Sequence, residues 1–165
     1  GLGGAKTAQL AAALEIGRRA ALPDSRKKIT LRKPEAVVDY LKARLHSLSD
    51  EHFRGLYLNR QSVLLEDALL ATGTVDQVRP AIREIVAKAL QANASAMILG
   101  HNHPSGAAEA SESDRMFTAD VLAALRPIGV NLLDHIIVAG DSAFSFADAG
   151  LMAELNLECL APGST

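Results

Sequence analysis

The sequence predicts a single α/β domain, a mixed β-sheet with helices packed on it. Three observations carry that expectation. Stretches with apolar residues at helical spacing alternate with short strand-like runs over most of the chain. Hydrophobic residues make up 48% of 165 residues, enough for one substantial core, yet aromatics are only 4% and Trp is absent, so Leu, Ile, Val and Ala must fill it. Finally, the apolar run Ala94 to Leu99 stops abruptly at Gly100-His101-Asn102-His103-Pro104-Ser105-Gly106, as a strand does when it delivers polar groups at its end.

Taken in order, the chain opens on Gly1-Leu2-Gly3-Gly4-Ala5-Lys6 without a methionine, which reads as the boundary of a fragment. Ala8 to Ala21 predicts a helix, with Leu10, Leu14 and Ile16 on one side and Arg18 and Arg19 near the C-terminal end, where they suit the dipole. Pro23 to Lys28 is a polar, basic linker. Pro34 starts a second helix whose apolar face is Val37, Val38, Leu41 and Leu45, ending near His46-Ser47. Phe53–Leu58 and Val63–Leu70 read as a hairpin, with Glu51 immediately before its first strand.

Gly73-Thr74 turns the chain into a helix over Pro80 to Gln91, with Ile82, Ile85, Val86, Ala89 and Leu90 expected inside. Ser95 to Gly100 is expected as a central strand. Glu112 to Leu125 follows as a helix capped by Ser111, with Met116, Phe117, Val121 and Leu122 inward. Asn131–Ala139 and Ser142–Phe146 form a second hairpin around Gly140-Asp141, and Ala147–Leu155 closes the domain as a short helix. The expected organisation is therefore a helical remnant at 1–22, a linker at 23–33, the main domain at 34–155 and a tail at 156–165.

The chemistry concentrates around the histidines. Alternate side chains of an extended chain share a face, so His101 and His103 point the same way. Pro104 and Gly106 then turn the chain, and Ser111 and Asp114, three residues apart at a helix start, look back toward the histidines. Two imidazoles and one carboxylate make a three-ligand set for Zn²⁺ that leaves the fourth tetrahedral position to water.

His101-x-His103, seven residues, Ser111, two residues, Asp114 matches the JAMM (MPN+) metalloprotease signature. With Asn93-Ala94-Ser95-Ala96 before it and Leu133-Asp134-His135-Ile136-Ile137 after it, the chain resembles the RadC family, historically labelled DNA repair proteins, from its Gly-rich opening to about Leu151. Ala81-Ile82 and Ala110 depart from the family's usual text, at positions that touch no expected ligand.

The resemblance implies a three-layer JAMM/cytidine-deaminase-like architecture and zinc-dependent hydrolysis of an amide bond, peptide or isopeptide. It gives Glu51 the role of general base, with Glu66 and Asp67 as alternatives, and has Ser111 stabilise the oxyanion as well as cap its helix. His135 is open as a fourth ligand, but a packing or hydrogen-bonding role is the expectation, since the first set already completes a catalytic site and ligating histidines need an outer partner. The resemblance also makes residues 1–22 a remnant of a helix-hairpin-helix element.

Charge separates the rival readings. The net charge of −2 divides into +6 over residues 1–33, where eight Lys and Arg face only Glu15 and Asp24, and −8 over the rest. Any contact with DNA is therefore expected from the N-terminal piece, as in a DNA-associated repair or recombination module with a structural or vestigial metal. The acidic remainder and the lack of an aromatic-rich basic groove favour the hydrolase. A zinc deaminase would need Pro-Cys-x-x-Cys ligands, and the single Cys159 excludes it, as it excludes a disulfide framework. No secretory signal or membrane-length apolar run stands out, so a soluble cytoplasmic protein is the expectation.

Overall fold

The structure, a computed structural model, describes residues 28–73, 79–104 and 106–160. The helix expected at 8–21, the helical remnant and the basic charge before residue 28 lie outside the described residues. The elements are α1 (Pro34–Leu45), β1 (Glu51–Leu58), β2 (Leu64–Gly73), α2 (Ile82–Gln91), β3 (Ala96–Asn102), α3 (Glu112–Leu125), a 3-10 turn (Arg126–Ile128), β4 (Asn131–Ala139), β5 (Ser142–Ser145) and α4 (Leu151–Glu158). No helix of the described residues is long and apolar enough to cross a membrane.

Five strands form one sheet in the order β2-β1-β3-β4-β5. Only β3 and β4 run parallel, joined by the α3 crossover; the other pairs are antiparallel. Period-2 alternation gives the sheet two apolar faces. Phe53, Tyr57, Met97, Leu99 and Ile137 meet Ile85 and Ala89 of α2, Phe117, Val121, Leu122 and Leu125 of α3, and Met152 and Leu155 of α4. Leu56, Leu58, Ala96, Ile98, Ile136 and Val138 meet Leu31 and the Val37-Leu41-Leu45 stripe of α1. This is a three-layer α/β domain, as expected. Thr30 already bridges Val63 and Leu31 is buried, so the fold engages the chain ahead of α1.

α3 and β4 fall where the sequence places them, but several boundaries shift. β1 begins at Glu51, β2 runs to Gly73, and β3 continues through His101 to Asn102, because pairing in the sheet outweighs the polarity of these residues. α2 begins only at Ile82, and α4 only at Leu151, after Gly150 at φ +81. Leu90 and Met116, expected inside, are 58% and 61% exposed. The inward stripe of α3 instead runs Asp114, Phe117, Thr118, Val121, Leu122, Leu125. Hydrophobic periodicity finds Phe117, Val121 and Leu122 but misses Asp114 and Thr118, because these two positions are polar.

Gly100 sets how closely α1 approaches the sheet. A Cβ there would stand 2.7 Å from Leu41 Cδ2 and 2.8 Å from Cδ1, far inside van der Waals contact. A side chain at this position would displace the buried Leu41 side chain, one residue from His101.

Candidate metal centre

Strand register builds the centre. β1 pairs antiparallel with β3 so that Phe53 lies opposite His101, and their rings stack with centroids 4.4 Å apart and planes 15° from parallel. Glu51, two residues before Phe53, shares its face and is carried toward His103. His103 lies just past β3, and its N–H still donates to the Val138 carbonyl of β4 at 2.8 Å. His101 Nε2 and His103 Nε2 come within 2.8 Å of each other, as the shared face predicts.

Glu51, His101 and His103 each present a ligand atom within 4.8 Å of the other two, a group that could hold a metal ion. Asp114 stands beside both imidazoles, with Oδ1 3.4 Å from His101 Nε2 and Oδ2 3.7 Å from His103 Nε2. Glu51 Oε1 lies 3.9 Å from His101 Nε2. All four expected residues therefore meet at one end of the central strands.

Ser111 ties Asp114 in place through a capping box. Its Oγ accepts from the Asp114 N–H at 3.1 Å, and its own N–H and hydroxyl donate to Asp114 Oδ2 at 2.9 and 2.6 Å. This leaves Oδ1 toward His101. The hydroxyl proton of Ser111 is therefore spent on the carboxylate in this arrangement.

Three further residues complete the surroundings. The Asn102 side chain, buried between the two histidines in sequence, accepts from the His52 N–H at 2.8 Å and donates to the Asp50 carbonyl at 2.9 Å. His135 Nε2 is 2.8 Å from His101 Nδ1, and its Nδ1 is 2.7 Å from Thr118 Oγ1. Asn102 and Thr118 escaped the sequence reading. Only the polarity of Asn102 inside an apolar strand, and of Thr118 on an inward helical slot, hinted at them. Glu66 and Asp67, the alternatives to Glu51, are engaged elsewhere: Glu66 pairs with Lys88, and Asp67 with Arg44 and Arg54.

Burial dominates the electrostatics. It pushes the His101 imidazole well below its usual pKa, with His103 adding to the effect. His135, wholly buried, is likewise held low by desolvation, then by His101. Both rings are therefore neutral at neutral pH, the form in which imidazole ligates metals. His103 Nδ1, 3.0 Å from the Ala107 carbonyl, must be the protonated nitrogen because a carbonyl only accepts, so its Nε2 lone pair faces the cluster. Lone-pair nitrogens beside carboxylates form a donor set that fits a divalent borderline cation.

A three-layer α/β domain gathering a glutamate and two histidines at the end of its middle strands defines a class, the JAB/MPN-type domain with a potential metal centre. Within it, the RadC-like JAB domain model matches residues 31–151, and the chain belongs to that family. It is 42% identical to a UPF0758 protein of Pseudoalteromonas translucida, 43% to one of Bordetella petrii and 45% to one of Methylibium petroleiphilum. Each match spans 92% of this chain and 68% of the relative.

Proposed function

We propose that this domain is a zinc-dependent hydrolase cleaving an amide bond of the peptide or isopeptide type. The convergence of Glu51, His101 and His103, with Asp114 beside them, carries the reading. His101 Nε2, His103 Nε2 and Asp114 would hold the ion. A bound zinc supplies Lewis acidity and a water acidified to near neutrality.

Glu51 reaches the cluster from a different strand than the histidines. As a further ligand it would make the site purely structural; as a base it would remain free to move a proton. In this role its carboxylate takes the proton of the attacking water and returns it to the leaving amine. Ser111 orients Asp114 in the resting arrangement, and turning its hydroxyl from Oδ2 toward the developing oxyanion would stabilise the tetrahedral stage.

The test is metal content and turnover together, on a panel of peptide and isopeptide substrates. Wild type should bind about one zinc per chain. Glu51→Gln should keep the zinc and lose about 10²- to 10⁴-fold in turnover. Loss of zinc in Glu51→Gln would make Glu51 a ligand, and undiminished turnover would remove it from the chemistry.

A further inference from the structure

We propose that Thr118 and His135 form a two-step hydrogen-bond relay that fixes the tautomer of His101, so that its Nε2 is a bare lone pair before any metal arrives. The inference rests on the reading of His101 as a ligand and assigns positioning roles to two residues that touch neither metal nor substrate.

Donor counting sets the direction of the three bonds that run from the Asp114 carbonyl to His101. Thr118 Oγ1 lies 2.6 Å from the carbonyl oxygen of Asp114, one turn earlier in α3. A carbonyl only accepts, so the single hydroxyl proton of Thr118 is committed there. The 2.7 Å contact between Thr118 Oγ1 and His135 Nδ1 must then be an N–H donated by the ring to the hydroxyl oxygen.

His135 is 0% exposed, enclosed by His101, Thr118, Phe53 and Phe146, and a charge there would be costly. A neutral imidazole carries one proton, so with Nδ1 protonated its Nε2 is bare. That bare nitrogen is 2.8 Å from His101 Nδ1, which therefore donates to it. His101 has then spent its one proton on the side away from the cluster. That leaves His101 Nε2 and His103 Nε2 2.8 Å apart with no proton between them, a contact that a shared cation relieves. The opposite tautomer would place an N–H there and could not ligate.

The relay starts on the backbone of Asp114, the residue whose side chain stands across the site. One turn of α3 thus positions the carboxylate and sets the proton on the histidine opposite it. Outer hydrogen-bond partners of metal-binding histidines act in this way, and losing one typically costs 10- to 100-fold in affinity.

The experiment combines long-range ¹H–¹⁵N correlation spectra of the metal-free protein with zinc affinity measured by chelator competition. In wild type, His101 and His135 should both be protonated at Nδ1. Thr118→Val, near-isosteric and without an acceptor, should shift His101 toward the Nε2–H form and weaken zinc about 10- to 100-fold. Thr118→Ser should restore both, which a purely packing role would not. His101 protonated at Nε2 in the wild type overturns the relay, as does a folded Thr118→Val with unchanged zinc affinity. If Thr118→Val does not fold, the wild-type spectrum and the Thr118→Ser affinity decide. Neither readout needs a substrate, so failure to find a cleavable amide would defeat the proposed function and leave the relay standing.

Discussion

Asn102 grips both backbone neighbours of Glu51: its Oδ1 accepts from the N–H of His52 at 2.8 Å and its Nδ2 donates to the carbonyl of Asp50 at 2.9 Å. The residue between the two histidines thus fixes the start of the strand that brings the glutamate to them. The spacer of His-x-His is part of the site's construction.

Replacing Asn102 with Leu removes those partners and leaves polar backbone groups in a half-buried setting, at a cost of about 1–3 kcal/mol. The larger consequence falls on Glu51. A displacement on the order of 1 Å should lower turnover about 10²-fold while zinc content stays near one per chain. Parallel loss of zinc and turnover would show that Asn102 supports the histidines instead.

Gly100→Ala should destabilise the protein by about 1–3 kcal/mol, since the new methyl meets Leu41 within 2.8 Å. A double-mutant cycle with Leu41→Ala checks the cause. The penalty of Gly100→Ala should shrink when Leu41 is already truncated. Strict additivity would place the strain elsewhere.

Acid should unfold the metal-free protein through its buried histidines. His101 and His135 have folded pKa values depressed below the ordinary value of about 6.5, so the unfolded chain binds more protons below that pH. Their contribution to stability is complete above about pH 6.5 and declines as pH falls below it. Urea midpoints at descending pH should show the decline, and His135→Leu should flatten it. A wild-type midpoint that holds steady through this range contradicts the neutral, buried state of both rings.

Zinc should stabilise the folded chain. At a thousandfold excess over Kd the gain is about 4 kcal/mol, on the order of 10 °C in Tm. His101→Ala and Asp114→Asn should abolish the shift, and Glu51→Gln should retain it. A shift of equal size in His101→Ala would mean that the ion binds elsewhere.

The local parts of this site were legible because they obey local periodicities. The two-residue spacing of a strand places His101 beside His103. The three-residue spacing of a helix start places Ser111 against Asp114, where side chain and backbone close a capping box. The bounds of α3 and β4 were readable from helical spacing and an apolar run, but the polar inward positions of α3 and the irregularity at Leu133 were not.

Local spacing thus accounts for the alternation of elements, the pair of histidines, and the hydroxyl and carboxylate at the following helix cap. The rest comes from packing between elements distant in the chain. The antiparallel register of β1 on β3 brings Glu51 across 50 residues to His101. The parallel placement of β4, with an irregularity that skips Leu133, sets Leu132 and His135 on the face of His101 and Thr118. Contacts such as Asn102 to Asp50 and His135 to Thr118 have no repeat to announce them. They exist because burial in a closed sheet leaves each polar group only the partners that the packing supplies.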